Sequence, residues 1–276
     1  MPPPRRRGDL GGFPPTLKKF GQHFLTDRRV LDRIADSLEL TASDTVVEIG
    51  PGRGALTDLL AERAGRVVAV EIDRALAGLL RKRYADRPHV EIVERDVLTT
   101  DLSTIAGTER FVVAGNVPYY ITTPILFHAL RRPRAERSVF LVQLEVAERM
   151  AAGAGSRIYG ALSVNLQAVA SAELLFRVPA GAFSPPPKVE SAVVRVTPRA
   201  EPAVAPEDEE RFRAFVQAAF ALRRKQLRRV VRTIASVGAD EAERSLELAG
   251  VDPDARPETL EPEAFARLMR AVGSAG

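Results

Sequence analysis

Short runs of β-branched and other apolar residues recur along this chain, and helix-like segments separate them. Five such runs lie at 45–49, 67–72, 90–93, 111–114 and 139–144. Strands that alternate with helices are typical of βαβ units, which build a parallel sheet covered by helices. The pattern therefore predicts an α/β, doubly wound domain.

Two further apolar runs, 172–178 and 191–196, follow the five and differ in how they are connected. A proline-rich loop joins them, and it is too short to contain a crossover helix. We therefore expect these two strands to pair antiparallel at one edge of the sheet. The whole sheet is predicted to be mostly parallel and seven-stranded.

A change of composition marks a domain boundary. Residues 197–206 are rich in proline and alanine and read as a linker, and the chain beyond them looks helical. We expect a disordered basic tail over 1–15, the doubly wound domain over 16–200 and a small all-α domain over 207–276. From Val216 onward, apolar residues fit one helical face, namely Val216, Phe220, Leu227, Val231 and Ile234.

Composition excludes several kinds of site. The chain has no cysteine, so disulfides, cysteine-ligated zinc, iron–sulfur clusters and a cysteine nucleophile are excluded. The histidines, His23, His89 and His128, show no metal-ligand spacing, so no metal is expected. No run of eighteen apolar residues and no secretory signal occurs, which predicts a cytoplasmic protein without membrane contact. Nothing in the sequence demands more than a monomer.

The basic residues are unevenly distributed, although the formal net charge is only +4. Residues 223–232 hold six basic side chains and no acidic one. Such a segment favours contact with the phosphates of a nucleic acid, and the alternative is a solvated helix face. The predicted RNA-binding residues are Arg223, Arg224, Lys225, Arg228 and Arg229, with Arg232 on the same face.

Polar residues at successive strand ends predict a nucleoside cofactor. The first strand runs into Glu48-Ile49-Gly50-Pro51-Gly52-Arg53-Gly54, whose glycines let a ligand approach the backbone. Glu71 ends the second strand and can accept hydrogen bonds from ribose hydroxyls, and Asp96 ends the third and can accept from an adenine amine. The glycine spacing differs from the GxGxxG pattern, which favours S-adenosylmethionine over NAD. A turn that merely packs closely is the alternative.

The fourth strand ends in Gly115-Asn116-Val117-Pro118-Tyr119-Tyr120. The N6 amine of adenine is a poor nucleophile because its lone pair is delocalised into the ring. Two acceptors aimed at the N6 hydrogens, Oδ1 of Asn116 and the carbonyl of Pro118, would draw that pair out, and Tyr119 could stack on the base. A base inside a helix must be flipped to reach such a pocket. In isolation, the motif could also be a capped turn with a core tyrosine.

Several ordered segments resemble one family over nearly the whole length of the chain, the KsgA-type small-subunit (16S) rRNA adenine N6,N6-dimethyltransferases. These segments are Phe20-Gly21-Gln22-His23-Phe24-Leu25, Val47-Glu48-Ile49-Gly50-Pro51-Gly52, Asn116-Val117-Pro118-Tyr119, Gln143-Leu144-Glu145-Val146-Ala147-Glu148-Arg149, Tyr159-Gly160-Ala161-Leu162-Ser163, Phe183-Ser184-Pro185-Pro186-Pro187-Lys188-Val189 and Arg223-Arg224-Lys225. The chain departs from the family at His23, where asparagine is frequent, and at Val117, where leucine is usual.

The resemblance implies a class I methyltransferase fold, S-adenosylmethionine as cofactor and S-adenosylhomocysteine as product. It implies that the cofactor is bound by Gln22, His23, Leu25, Gly50, Gly52, Glu71, Asp96 and Asn116. It implies that Tyr119 and Phe183 hold the target base between their rings. The implied substrate is a pair of adjacent adenines in the hairpin loop near the 3′ end of small-subunit rRNA, within an immature subunit on which the C-terminal domain docks.

Three other functions stay open on the sequence alone. A large-subunit rRNA adenine methyltransferase of the macrolide-resistance type shares the Asn-x-Pro-Tyr chemistry, although residues 183–189 and 223–225 favour the small-subunit enzyme. A catalytically silent RNA- or DNA-binding protein could use the same fold. An NAD-dependent oxidoreductase is disfavoured by the glycine spacing.

Overall fold

The structure is a computed structural model that describes residues 23–274. The predicted basic tail over 1–15 and the predicted cofactor residue Gln22 lie outside the described residues. No helix of the described part is both long enough and apolar enough to cross a membrane.

Nine strands and eleven α-helices follow one another in the described part of the chain. The strands are β1 (Phe24–Leu25), β2 (Thr45–Ile49), β3 (Arg66–Glu71), β4 (Val90–Glu94), β5 (Val112–Asn116), β6 (Arg137–Gln143), β7 (Ala170–Val178), β8 (Phe183–Ser184) and β9 (Ser191–Pro198). The helices are α1 (Arg28–Ser37), α2 (Ala55–Arg63), α3 (Arg74–Arg83), α4 (Leu102–Ala106), α5 (Thr122–Ala129), α6 (Leu144–Ala151), α7 (Ala161–Gln167), α8 (Glu209–Ala221), α9 (Leu227–Ala235), α10 (Ala239–Ala249) and α11 (Pro262–Ser274).

The main sheet has seven strands in the order β4-β3-β2-β5-β6-β9-β7. The pairs β3 with β4, β2 with β3, β2 with β5, and β5 with β6 are parallel, which confirms the five predicted parallel strands. The chain runs outward from β2 to β4 and then returns to place β5 on the other side of β2. Ligands of such sheets bind beyond the carboxyl ends of the strands, at the point where the order reverses.

The predicted hairpin strands are neighbours at one end of the sheet. The N–H of Arg199, just after β9, donates to the carbonyl of Val169, just before β7, at 3.0 Å. The end of one strand thus adjoins the start of the other, as antiparallel pairing requires.

A second, two-stranded sheet was not predicted. Strand β1 pairs antiparallel with β8, with Leu25 opposite Phe183. The carbonyl of Ala182 accepts from the N–H of Thr26 at 2.8 Å, which extends the contact. The pairing fixes the segment before α1 beside the proline-rich loop.

Local chemistry explains where α1 begins and which face it buries. The Asp27 side chain accepts from the N–H of Arg29 at 2.9 Å, so it caps the start of the helix. The buried residues of the helix are Val30, Leu31, Ile34 and Ala35, at the spacing of one helical face. The central strands β2, β3 and β5 are nearly continuous buried apolar runs, because helices cover both faces of a parallel sheet.

The chain divides into two compact units, and the division differs from the predicted one. The first unit contains the described residues up to 144 together with 175–195, and the second contains 145–174 and the described residues from 196 onward. The predicted linker position is close to residue 196, but 145–174 belong with the C-terminal helices. The reason is that α7 packs on α8 and α11, and that the Tyr159 hydroxyl donates to the carbonyl of Leu260 at 2.9 Å.

The apolar stripe from Val216 to Ile234 does not form one helix. Helix α8 ends at Ala221, and α9 begins at Leu227 after Gln226 takes an extended conformation. The first amides of α9 find partners in a distant loop, since Leu227 N–H donates to Ala255 at 2.8 Å and Arg228 N–H to Pro253 at 3.1 Å. The predicted helix position of residues 223–225 is therefore corrected to the turn between α8 and α9.

Candidate active site

The glycine-rich segment after β2 forms a turn that side chains would obstruct. Gly50 and Gly52 have φ angles of +69° and +57°, in the left-handed region that favours glycine. A Cβ atom at Gly52 would lie 2.9 Å from the ring of Phe24. The turn therefore keeps its backbone close to whatever binds beyond β2.

Glu71 at the end of β3 is oriented toward this turn. Its Oε2 accepts from the N–H of Gly52 at 3.1 Å, and its Oε1 accepts from the N–H of Asp73 at 2.9 Å. Burial raises the pKa of Glu71 above its usual value, and the two backbone hydrogen bonds oppose that rise. Each carboxylate oxygen retains a lone pair with which to accept a ligand hydroxyl.

Asp96, two residues beyond β4, presents a second carboxylate. Its Oδ1 accepts from the N–H of Leu98 at 2.9 Å, and Oδ2 has no hydrogen-bond partner among residues 23–274. Ile72 follows Glu71 and is 53% exposed although it is apolar. Sequence reasoning missed Ile72; the available signal was an apolar residue directly after the acidic end of a strand.

Asn116 ends β5, and its side chain is held by the segment before β1. Its Nδ2 donates to the backbone carbonyl of His23 at 3.1 Å. Oδ1 has no hydrogen-bond partner in the described part of the chain. The contact thus fixes the amide with its acceptor atom unused, as the predicted role of Asn116 requires.

The Pro118 carbonyl is less available than predicted, because its own turn uses it. It accepts from the N–H of Ile121 at 3.1 Å and lies 3.3 Å from the hydroxyl of Thr122. That hydroxyl also lies 3.3 Å from the carbonyl of Tyr119, so it can donate to either oxygen. When it donates to Tyr119, one lone pair of Pro118 is left for a ligand.

The Tyr119 side chain has two contacts, His23 on a face of its ring and Ser191 at its hydroxyl. The imidazole of His23 lies nearly parallel to it, at 21° and 5.9 Å between ring centroids, and His23 Nδ1 lies 2.9 Å from the carbonyl of Pro185. The Tyr119 hydroxyl lies 2.6 Å from Oγ of Ser191. Burial raises the pKa of Tyr119, so the hydroxyl stays protonated at neutral pH.

The structure does not bring Phe183 to the ligand cavity. Its side chain is 4% exposed and belongs to the hydrophobic core of the first unit with Leu25 and Val178. Strand β8 pairs with β1, and this pairing turns the ring toward the core. The predicted sandwich of Tyr119 and Phe183 is therefore not assembled here, and a base-stacking role for Phe183 stays a prediction.

One cavity lies at the carboxyl ends of β2, β3, β4 and β5 and brings the other described site residues together. Its lining includes His23, Leu25, Gly50, Gly52, Glu71, Asp96, Asn116, Pro118 and Tyr119, with the apolar Ile72, Val97 and Val117. Carboxylates beside a glycine turn, together with an exposed apolar face, suit a nucleoside. No group of three or more His, Cys, Asp or Glu within residues 23–274 is arranged to hold a metal ion.

A comparison with protein families shows which family the chain belongs to. The family model described as "Ribosomal RNA adenine dimethylase" matches residues 16–272. The chain belongs to this family. It is therefore an rRNA adenine methyltransferase, which decides against the NAD-dependent oxidoreductase and the silent binding protein.

Individual relatives of this dimethylase family member cover nearly all of the chain. "Ribosomal RNA small subunit methyltransferase A" of Xanthomonas campestris pv. campestris (strain B100) is 45% identical over 92% of this chain and 95% of its own length. The 23S rRNA methyltransferase ErmE is 32% identical, with a TM-score of 0.70 over 91% of this chain and 99% of its own. A dimethyladenosine transferase from Plasmodium falciparum is 25% identical, with a TM-score of 0.78 over 92% and 98%.

The predicted RNA-binding residues of the dimethylase fall into two groups in the second unit. Arg223, Arg224, Lys225 and Arg229 are exposed, and no ion pair involves them within the described residues. Arg228 is different, because its Nη2 lies 2.6 Å from Oδ1 of Asp254. That pair joins the start of α9 to the loop after α10, and RNA binding by Arg228 stays a prediction.

Glu48 in the centre of β2 is a buried acid that the site predictions left out. Thr57 donates its hydroxyl to Glu48 Oε2 at 2.6 Å. Burial raises the pKa of Glu48 to about 8, and the neighbouring carboxylates of Glu71 and Asp58 add to the rise. The sequence signal was an acidic residue inside an otherwise apolar strand. The neutral form of Glu48 therefore predominates at pH 7.

Proposed function

We propose that this dimethylase transfers two methyl groups from S-adenosylmethionine to N6 of adenine in small-subunit rRNA. The observation that carries the proposal is the fixed Asn116 amide, whose unused Oδ1 lines the same cavity as Tyr119 and Glu71. The relative from Xanthomonas campestris, named as a small-subunit enzyme, supports the choice of rRNA subunit.

The cavity residues fit the cofactor. Glu71 would hold the ribose hydroxyls, Asp96 would accept from the adenine amine with its second oxygen, and the exposed face of Ile72 would lie against the adenine ring. The backbone of Gly50 and Gly52 would lie against the rest of the molecule. When bound, the cofactor supplies an electrophilic methyl group carried on a sulfonium.

The residues of the chain activate the target amine. Asn116 Oδ1 accepts one N6 hydrogen, and the Pro118 carbonyl accepts the other once the Thr122 hydroxyl has turned to the Tyr119 carbonyl. Both contacts draw the nitrogen lone pair out of the ring, and the Tyr119 ring holds the base. No strong general base is needed, because the methylated, positively charged amine is acidic and releases its proton to water.

The energetics favour an unpaired adenine. Extruding a base from a helix costs a few kcal/mol, while stacking it on an aromatic ring returns about 1–3 kcal/mol per base. A hairpin loop avoids most of that cost. We accordingly assign the substrate as two adjacent adenines in the loop near the 3′ end of small-subunit rRNA, in an immature subunit, with the exposed residues 223–225 and 229 on its phosphates.

Methyl transfer to isolated subunits tests the substrate. Unmethylated small subunits, large subunits and free RNA are incubated with radiolabelled S-adenosylmethionine, and the nucleosides are then separated. Labelled N6,N6-dimethyladenosine from small subunits alone is the expected result. Label confined to large-subunit RNA would instead support the second candidate, the resistance-type activity. The reason to test this candidate is the 32% identity to the 23S rRNA methyltransferase ErmE.

Thermal stabilisation by ligands tests the cofactor separately. S-adenosylhomocysteine should raise the melting temperature, because a ligand at 100 times its Kd stabilises a protein by about 2.7 kcal/mol. NADH serves as the control and should leave the melting temperature unchanged. Glu71→Gln should reduce the shift, and stabilisation by NADH alone would contradict the assignment.

A further inference from the structure

The hydroxyls of Tyr119 and Ser191 lie 2.6 Å apart in the first unit. Ser191 opens β9 and its side chain is fully buried. Neither hydroxyl has another hydrogen-bond partner among residues 23–274. The two groups therefore satisfy each other. Removal of the Tyr119 hydroxyl leaves the buried Ser191 hydroxyl unpaired, and removal of the Ser191 hydroxyl releases the end of the half-buried Tyr119 ring.

We propose that Ser191 is a positioning residue that fixes the Tyr119 ring for the second of the two methyl transfers. The inference rests on the proposed function, in which Tyr119 stacks on the target adenine. A tyrosine ring anchored only at Cβ can tilt, whereas one also held at its hydroxyl has a fixed plane. Strand β9 is part of the main sheet, so the hydroxyl is tethered to a rigid element.

A second contact, between the face of the Tyr119 ring and His23, depends on the plane of that ring. The His23 imidazole faces Tyr119 at 21° and 5.9 Å between centroids. A tilt of the Tyr119 ring would change the surface offered to a base beside this pair. The tether thus preserves a flat stacking surface in the cavity.

The two transfers depend on this surface to different extents. In the first, the bond between sulfur and the methyl carbon breaks, the bond from N6 to that carbon forms, and one N6 proton passes to water. N6 begins with two hydrogens, and both Asn116 and Pro118 can accept one. Afterwards only one hydrogen remains, so one of these contacts is lost. Stacking on Tyr119 then supplies a larger share of the positioning.

Single-turnover reactions on unmethylated small subunits test the inference with wild type, Ser191→Ala, Tyr119→Phe and the double variant. Mass spectrometry of the nucleosides gives the amounts of N6-methyladenosine and N6,N6-dimethyladenosine over time. We expect the ratio of the second to the first rate constant to fall about fivefold in each single variant, the factor for one neutral hydrogen bond. The double variant should match the single ones, because both changes remove the same contact.

Matched controls separate positioning from folding. Ser245→Ala removes another buried serine hydroxyl, one that donates to Glu241 within α10 of the second unit, and should leave the product ratio unchanged. The melting-temperature shift with S-adenosylhomocysteine should stay as in wild type for every variant. Tyr119→Phe removes a single oxygen, so it keeps the test valid if Ser191→Ala fails to fold.

The failures of the two proposals are distinguishable. If wild type makes no dimethyladenosine on small subunits, the proposed function is wrong. If wild type does so, and the variants keep its product ratio or their effects add, the role of Ser191 is overturned.

Discussion

Asn116 is the side chain on which the chemistry depends most. Replacing it with alanine removes the acceptor for one N6 hydrogen and also the contact with the His23 carbonyl. We expect kcat/KM for methyl transfer to fall by about 10²–10³, the usual effect of losing one polar group that acts on the reacting atoms. Single-turnover methylation measures the loss, and calorimetry should show S-adenosylhomocysteine still binding.

Asn165→Ala is the matched control, because Asn165 lies on α7 in the second unit. It should retain activity, provided that the variant remains folded. Wild-type methylation by Asn116→Ala would refute the role of Asn116.

Glu48 predicts a pH dependence of stability. Its pKa is raised from about 4.5 to about 8 in the folded chain, so the native state holds a proton that the unfolded chain releases at lower pH. The stabilisation is therefore fully present below pH 4.5 and is lost as the pH rises through about 8. Glu48→Gln, which cannot ionise, should have the higher free energy of unfolding at pH 8.

Urea denaturation of wild type and Glu48→Gln between pH 5 and pH 9 measures this difference, whose expected size at the upper end is on the order of a few kcal/mol. Thr57→Val removes the hydroxyl whose hydrogen bond lowers the pKa of Glu48, so its profile should keep the wild-type slope below pH 8 and should go on falling at higher pH than that of wild type. Parallel profiles for wild type and Glu48→Gln would contradict the assignment of Glu48.

The turn between α8 and α9, together with the start of α9, carries two kinds of basic residue, those without an ion pair among the described residues and Arg228, which pairs with Asp254. Replacing Arg223, Arg224, Lys225 and Arg229 together with glutamine should flatten the dependence of RNA affinity on salt. Because each contacted phosphate of single-stranded RNA contributes about 0.7 to the slope of log affinity against log salt, the slope should fall by about 3. Fluorescence titration of an rRNA hairpin at several salt concentrations gives the slope.

Arg228→Gln is the control for this segment. It breaks the pair with Asp254, which is partly exposed and so contributes up to about 1 kcal/mol to stability, and it should leave the salt slope nearly unchanged. An unaltered slope in the fourfold variant would mean that these residues do not bind phosphates.

The elements that the sequence predicted are those that carry a strong local pattern. The strand over 45–49 was predicted to the residue, because apolar β-branched residues fill a strand that is buried on both faces. The pairing of β1 with β8 was missed because two-residue strands have no periodicity. The end of α8 was missed because apolar residues continue at helical spacing, while the carbonyls that cap α9 come from residues 253 and 255.

The candidate site was predictable where its residues stand at strand ends. Glu71, Asp96 and Asn116 converge because the carboxyl ends of parallel strands meet at one edge of the sheet. The sequence could not show which site atoms already accept or donate hydrogen bonds within the protein, such as the Pro118 carbonyl, and it could not show that Phe183 is buried. The contact of Ser191 with Tyr119 joins residues 72 positions apart, and no local pattern indicates it.

The cavity and the predicted RNA-binding residues lie in different units of the chain. The first holds the cavity, and the second holds the exposed basic residues 223–225 and 229. The predicted linker identified where the chain last leaves the sheet. No change of composition marks residues 145–174, which join the C-terminal helices through the packing of α7 and through hydrogen bonds such as that from Tyr159 to Leu260.

The proposed function places dimethylation on adjacent adenines of one rRNA loop. A dimethylated N6 has no hydrogen to donate in a base pair, so reverse transcriptase stops there. Primer extension on small-subunit rRNA, after reaction of unmethylated subunits with the protein and S-adenosylmethionine, maps these stops. At partial methylation we expect stops at two adjacent adenines in the 3′-terminal hairpin loop, and over the same short reaction time the Asn116→Ala protein should give far weaker stops. Stops confined to other adenines, or to large-subunit rRNA, would contradict the proposed function.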